Sequence, residues 1–571
     1  MAHFHVKKKN GRPYLYVREI ARVNGKPTVV SQIYIGGPDK VAALAKGGLD
    51  EDTKLKVEQF GALWLAALLD ADIDLAGIID AVIPRGANEK GPSVGEYFLY
   101  GVLNRMVEPR SKNRLADWYE HTAIQQIRPI DIQQLSSQKY WEKWERVSEK
   151  QLDEISRRFF EKIWEKEKPE ADCLLFDTTN FYTFMAGKTK SELAATGHNK
   201  AGRHHLRQVG LGLLVARPSG LPLYYRVYPG NLHDSRLFEA AMREMFGIVC
   251  GLSGTKERLT VVVDKGMNSE DNCSWIDEHA RVHFVTTYST YFASDLAHTP
   301  LERFEPIEMP RNRRLQEQGL DQERLLAYRT SETLWGKERA LVVTHNPTTA
   351  RKQAYTLESK LESLRQELLA MRAKVREQAP HWRDAEKIKE RYLRLCEQLH
   401  VASDLYTLEF ASDKGRLSMG FRKDPYRVER KQAGFGRNII VTDNTDWTTP
   451  VIVQASLDRW RVEDSFRTGK DHDLVSVQPL RHWTDGKIRC HLFTCVVALT
   501  YLKRLELRLR SAGVDRSAAD VMDDMRRLHS VLSFKDGRSK PRRRLEQPTK
   551  TQHEVLKALG YEIDPMGVLH P

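Results

Sequence analysis

Residues 171–184 read ADCLLFDTTNFYTF. A short apolar run closing on Asp177 predicts a buried strand that delivers a carboxylate at its end. The stretches that follow extend the pattern. HHLRQVGLGLLVARPSGLPLYYRVYPGN (204–231) reads as two strands joined at Pro218-Ser219-Gly220. SRLFEAAMREMFGIV (235–249) has the periodicity of an amphipathic helix, and RLTVVVDKGM (258–267) is a second buried strand, ending in Asp264. RVHFVTTYS (281–289) adds another strand. A meander, then a helix, then further strands predicts a mixed α/β sheet. Gly210 and Gly212 lack a third glycine and sit in a strand, so they do not make a dinucleotide loop.

Outward from this region the texture changes. RPYLYVREIARV (12–23) and PTVVSQIYIGG (27–37) flank Asn24-Gly25, a strong hairpin signal. Residues 60–165 are helical in pattern, and NRMVEPRSKNRLADWYEH (104–121) crowds basic and aromatic side chains that suit either a charged helix surface or DNA. Leu357, Leu361, Leu364, Leu368, Met371 and Val375 form a heptad seam; Pro380 interrupts it, and Ile388, Tyr392, Leu395 and Leu399 resume it. Two such helices on either side of a proline predict an antiparallel hairpin within one chain, with dimerisation the alternative. The last 35 residues, with GRSKPRRRLEQPTKT (537–551), read as a polar, basic, flexible tail.

The chain has 571 residues, room for about three or four domains. Its 90 Lys and Arg against 77 Asp and Glu leave a formal charge of +13, which favours a polyanionic partner. The longest apolar runs reach about ten residues, half of what spans a bilayer, so no membrane partner is expected. MAHFHVKKKNGRP has no apolar region of the kind a signal peptide needs. Cysteines 173, 250, 273, 396, 490 and 495 form no CxxC pair and read as reduced thiols of a cytoplasmic protein. His198, His204, His205 and His233 lack a zinc spacing, and no phosphate-binding loop is present, so no nucleotide cofactor is indicated.

RWRVEDSFRTGK (459–470) supplies a third acid. Wound as a helix, Arg459, Glu463, Arg467 and Lys470 share one face, a lone carboxylate in a basic stripe. By itself this reads more readily as a solvated face with Glu–Arg pairs. Joined to Asp177 and Asp264 at strand ends, it makes a set of three oxygen donors suited to a hard divalent cation, with basic residues beside it for a phosphate backbone. Two such cations clamp the attacking and leaving oxygens of an in-line phosphoryl displacement.

These motifs resemble the DDE transposases of bacterial insertion sequences, which have an RNase H-like core. Asp177 in LLFDTTNFYTF, Asp264 in VVVDKGMNSEDN and Glu463 in RWRVEDSFRTGK match the three acids, and PGNLHDS (229–235) matches a PGN-x-x-D element containing Asn231. One branch of the family carries a Y-R-E-K signature around the glutamate. Arg459, Glu463 and Lys470 fit it, while Ser456 stands at the tyrosine position. VQPLRHWTDGKIRCHLFTCVVALTYL (477–502) resembles the segment that follows.

The resemblance implies an enzyme that binds terminal inverted repeats, cuts the element's ends and joins them to target DNA. It implies two Mg2+ or Mn2+ ions on Asp177, Asp264 and Glu463, and a homodimer assembled on double-stranded DNA. Arg459, Arg467, Lys470, Lys265 and Asn231 would contact that DNA. The gap from Asp264 to Glu463 is more than twice that from Asp177 to Asp264, which calls for an inserted domain. From that insertion Trp335, in SETLWGKERALVV, is the candidate to stack on an extruded base; read by itself, it is more often a core tryptophan of an insertion strand. An RNase H-like nuclease that never joins ends, or a silent DNA-binding descendant, are the rival functions. The organisation expected is a β-hairpin module (1–45), a helical DNA-binding domain (46–165), an α/β RNase H-like core (166–290 and 441–510) interrupted by an insertion with the helical hairpin (291–440), and a C-terminal helix with a basic tail (511–571).

Overall fold

A computed structural model describes residues 2–9, 12–23, 26–37, 40–41, 53–170, 172–185, 189–197, 202–203, 205–232, 241–244, 247, 258–279, 281–290, 293–413, 415–535 and 541–571. They fall into two compact units, one of residues 1–68, 111–135 and 508–571, the other of residues 69–110 and 136–507. The helical stretch 46–165 is thus shared between them. In the first unit, strands β1 (Ala2–Lys9), β2 (Arg12–Val23) and β3 (Lys26–Gly36) form an antiparallel sheet in that order. Val23 lies opposite Lys26; the Asn24-Gly25 pair lies outside the described residues. Strand β4 (Thr53–Gln59) follows.

The second unit is built on one mixed sheet. Its strands are β5 (Cys173–Thr183), β6 (Ala195–Thr196), β7 (Arg207–Ala216), β8 (Pro222–Pro229), β9 (Leu259–Val263) and β10 (Val282–Tyr288). Then come β11 (Glu305–Pro306), β12 (Leu326–Leu334), β13 (Lys337–His345), and, after a two-stranded hairpin β14 (Tyr406–Asp413) and β15 (Arg416–Lys423), β16 (Arg437–Thr442). The order is β11-β12-β13-β16-β10-β9-β5-β7-β6, with β8 also on β7. Strands β5, β9 and β10 run parallel, and β7 and β8 antiparallel to their neighbours. This is an RNase H-like core: a three-stranded meander, β5-β7-β8, with two parallel strands added beside its first. The parallel strands are the near-continuous apolar runs of the sequence, because helices leave neither face of a central strand to water. Leu174, Leu175, Phe176, Val261, Val262, Phe284 and Val285 are all buried.

The insertion has two parts of different kinds. Strands β11, β12, β13 and β16 extend the core sheet, since β16 pairs antiparallel with β10 on one side and β13 on the other. Ile439, Ile440 and Val441 of β16 are consequently buried. Between β13 and β16, the helices Pro347–Arg376 and Ala385–Leu399 make a separate core with β14 and β15. The heptad residues Leu357 to Val375 are buried there against Ile388, Tyr392, Cys396, Tyr406 and Met419. Tyr392 fixes the return by donating its hydroxyl to the Ser403 carbonyl at 2.6 Å. The seam is therefore covered by residues of its own chain, with a β-hairpin as well as a helix upon it.

The helix Asp485–Ser511 contains the apolar run LFTCVVALTYL and is buried almost all round, which is why that run has no polar face. Its Arg504, fully buried, donates to Glu167 (2.6 Å), Asp72 (3.0 Å) and the Leu69 carbonyl (2.7 Å). Tyr501 donates to Asp70 at 2.6 Å. One buried cation on two acids ties the C-terminal end of this helix to segments more than 300 positions earlier. No described helix is long and apolar enough to cross a membrane.

The end of the chain completes the first unit. Strand β17 (His529–Lys535) pairs with β4 and with β18 (Arg542–Leu545), and the helix Lys550–Ala558 follows with Val555 and Leu556 buried. The stretch expected to be a flexible tail is folded from Pro541 onward. Strand β18 reads RRRL because it is an exposed edge that needs a partner's backbone more than apolar alternation. The basic stretch 104–121 also turns inward in part, since Arg105, Lys112, Trp118 and Tyr119 are buried.

Leu364, wholly buried in the insertion core, is expected to cost about 2–5 kcal/mol when changed to Ala. Leu393→Ala, at a side chain 53% exposed, should cost far less. Urea unfolding of the two variants checks the comparison.

Candidate active site

Parallel pairing of β5 and β9 sets Leu174 beside Val261 and Leu175 beside Val262. Carried two residues further, that register puts Asp177 level with Asp264, and both leave the sheet on the face of Leu175 and Val262. Asp177, expected at the end of its strand, instead lies within β5, which continues through TTNFYT to Thr183; it is 8% exposed, held by the Thr178 amide, which donates to its Oδ1 at 2.7 Å. Asp264 follows the last residue of β9 and opens a single 3-10 turn, Lys265–Met267. Glu463 comes from the helix Trp460–Lys470, whose buried residues Val462, Ser465, Phe466 and Gly469 anchor it and turn the basic stripe outward. Asp177, Asp264 and Glu463 line one open cavity of about 630 Å3. Arg459, Arg467 and Lys470 line it too, with Thr178, Thr179, Phe466 and Asp471.

The cations in this cavity have different engagements. Arg459 donates from Nη1 to Asp264 and from Nη2 to Glu463 at 3.0 Å, so one guanidinium bridges two of the three acids. Burial works against its charge, but the bond to Asp264 and the charges of Asp264, Asp177 and Glu463 outweigh that and raise its pKa above the ordinary arginine value. Lys470 donates to Thr179 Oγ1 at 2.8 Å and lies over the Phe181 ring at 5.6 Å. Arg467, 83% exposed, pairs with Asp464. Asp464 also approaches Lys503 at 3.7 Å and does not line the cavity, which separates the two adjacent acids of RWRVEDSFRTGK.

Among the described residues, the side chains that line the cavity beside its cations and Phe466 are oxygen donors of Asp, Glu and Thr, with no His or Cys. That donor set fits a hard divalent ion. The side chains are not gathered for it in advance, since among the described residues no three of His, Cys, Asp and Glu stand close enough to hold one ion. Arg459 engages Asp264 and Glu463.

The remaining sequence candidates lie elsewhere. Lys265 is exposed on the turn after β9 and does not line the cavity. Asn231 is exposed at the end of β8. The glycine before it is the structural part of the PGN element, because a Cβ on Gly230 would meet the Gln208 carbonyl oxygen at 2.0 Å. His198, His204, His233 and Asp234 lie outside the described residues. Thr178 and Thr179 gave no motif in the sequence; position i+2 from Asp177 on a strand is the one signal that could have found Thr179. Described cysteines 173, 273, 396, 490 and 495 are buried free thiols.

Trp335 occupies the tip of the β12–β13 hairpin. Its φ of 51° and the 76° of Gly336 make a two-residue turn with both centres left-handed, a conformation costly for a bulky side chain. Its half-buried ring meets Phe284 and Tyr288 of β10 edge-on, at 6.0 and 5.7 Å, and this packing offsets the backbone cost.

An RNase H-like sheet that delivers acids from two adjacent strands and a helix to one cavity defines the class. Residues 168–501, more than half of the chain, match the family described as the transposase DDE domain, and the chain belongs to that family. Among solved structures, the cryo-EM structure of a piggyBac transposase synaptic complex with hairpin DNA is similar at a TM-score of 0.39 and 9% identity, over 83% of this chain and 82% of that one. No curated protein matches the chain.

Trp335→Gly keeps the left-handed turn and removes only the ring. A loss of about 1–3 kcal/mol in thermal unfolding is expected, with Trp335→Phe losing less.

Proposed function

We propose that this protein is the transposase of an insertion sequence, acting in the cytoplasm without a nucleotide cofactor. It binds terminal inverted repeats, cuts at the element's ends and joins the freed 3′ ends to target DNA. Asp177, Asp264 and Glu463 are its catalytic acids and would hold two Mg2+ or Mn2+ ions. The observation that carries this function is the convergence of the three acids, from β5, β9 and the Trp460–Lys470 helix, on a cavity rimmed by Arg459, Arg467 and Lys470. When bound, the ions supply charge neutralisation and alignment at the attacking and leaving oxygens of an in-line displacement.

The chain's own residues position the substrate. Lys470 and Arg459 hold phosphates next to the scissile bond, and Arg467, exposed at the rim, meets the backbone further out. Lys265 and Asn231 touch DNA outside the cavity. Trp335 stacks on a base extruded near the cut, for which its ring must turn from Phe284 and Tyr288. In cleavage, water forms the new P–O bond and the 3′ oxygen leaves; in joining, that 3′ hydroxyl attacks a target phosphate and the target's own 3′ oxygen leaves. Two ends must be paired, so a homodimer assembles on DNA.

Asp177→Asn, Asp264→Asn and Glu463→Gln should each abolish cleavage of end DNA while leaving its binding nearly unchanged in a mobility-shift assay. Mg2+ or Mn2+ should support the reaction and Ca2+ should not. Cleavage without strand-transfer products would replace the transposase with a nuclease.

Lys470→Ala should weaken DNA binding and lower the slope of log affinity against log salt by about one unit, as expected for one lost phosphate contact. An unchanged slope would remove Lys470 from the phosphate contacts.

A further inference from the structure

We infer that Arg459 is an exchangeable latch on the catalytic acids, which it holds until a divalent cation takes Asp264 and Glu463 and a DNA phosphate takes the guanidinium. This deepens the catalytic assignment of Asp177, Asp264 and Glu463 and rests on it.

The geometry points to one residue with two sets of partners. Arg459 sits at the start of the Trp460–Lys470 helix, one turn before Glu463, and its guanidinium reaches across to Asp264 at the end of β9. A planar fork with five donors can engage two carboxylates at once, which a lysine ammonium does less well. Those carboxylate oxygens are also the donors a divalent cation would need, so arginine and cation compete for the same lone pairs. Lys470 donates to Thr179, and Arg467 to Asp464.

Two consequences follow from the competition. Without DNA, the cation must displace Arg459 and binds more weakly than three carboxylates would otherwise allow. With DNA present, a phosphate accepts the charge-assisted bonds that Arg459 gives up. DNA and cation then strengthen each other's binding by the same factor, since coupling between two ligands is reciprocal. The acids become fully available to metal only when a backbone is in the cavity, which guards against loading without substrate.

The test is Mn2+ binding to the full chain by titration calorimetry. Arg459→Gln should bind Mn2+ about tenfold more tightly than the unaltered protein, within the usual 5–150-fold range of such couplings. Arg459→Lys, which keeps the charge but not the fork, should fall between them, and Arg467→Gln should stay close to the unaltered protein. A random-sequence DNA duplex should raise Mn2+ affinity by a larger factor in the unaltered protein than in Arg459→Gln. Equal or weaker Mn2+ binding by Arg459→Gln would overturn the latch, and so would an equal duplex effect in both proteins. Asp264→Asn separates the two levels. If it binds Mn2+ as well as the unaltered protein, the catalytic assignment fails; if its binding is lost while Arg459→Gln changes nothing, only the latch fails.

Discussion

Parallel pairing of β5 with β9 is the constraint on which the site depends. Parallel strands keep residues of equal offset level and on the same face, so two aspartates that each close an apolar run emerge side by side. A shift of one residue would turn one carboxylate to the opposite face of the sheet. Leu174, Leu175, Val261 and Val262, next to the acids in the two strands, are excluded from water. Rigidity at the acids is thus a product of the core, not of the loops around the cavity.

Glu463 is placed by different means. Its helix lies against β5 and β7, and the chain just beyond returns to the same strand, where the Leu480 amide donates to the Tyr182 carbonyl at 3.1 Å and Thr183 donates to the Leu480 carbonyl at 2.8 Å. Between them, Val475 and Ser476 both adopt left-handed backbone, with φ of 61° and 49°. The buried Arg105 donates to both of their carbonyls, at 3.2 and 3.1 Å. An interior arginine therefore stabilises an unfavourable turn that brings the chain beyond the Glu463 helix back to the strand of Asp177. The insertion obeys the same economy. By joining β16 to β10 it lengthens the sheet that carries the acids, and by closing its own core it lets the helical hairpin grow without disturbing that sheet.

Charge divides into two populations. Arg504 and Arg339 are buried and bound to acids, Arg504 to Asp72 and Glu167, Arg339 to Asp277 at 2.5 Å. Removing such a partner leaves an uncompensated interior charge, so these arginines belong to the frame. The cavity cations, by contrast, stand where solvent or a polyanion can reach them. The excess of basic residues in the composition could not distinguish the two groups, and Arg105 and Lys112 show how a basic, aromatic stretch can serve the interior.

Much was legible in the chain alone. Asp177, Asp264 and Glu463, which the fold brings to one cavity, stand out in the sequence because apolar runs ending in an acid and a basic stripe around a glutamate are local patterns, set by periodicities of two and 3.6 residues. The mixed sheet and the heptad seam were readable for the same reason. Partners distant in sequence were not. Nothing local to RRRL at 542–545 indicates that β17 pairs with it, and nothing in β16 indicates that its neighbours are β10 and β13. The Arg459 bridge to Asp264 spans almost 200 positions, and the Lys470 bond to Thr179 nearly 300. Hydrogen bonds and ion pairs at such separations leave no period in the sequence. They are decided by which surfaces the hydrophobic core brings face to face, and that is settled only when the whole chain has packed.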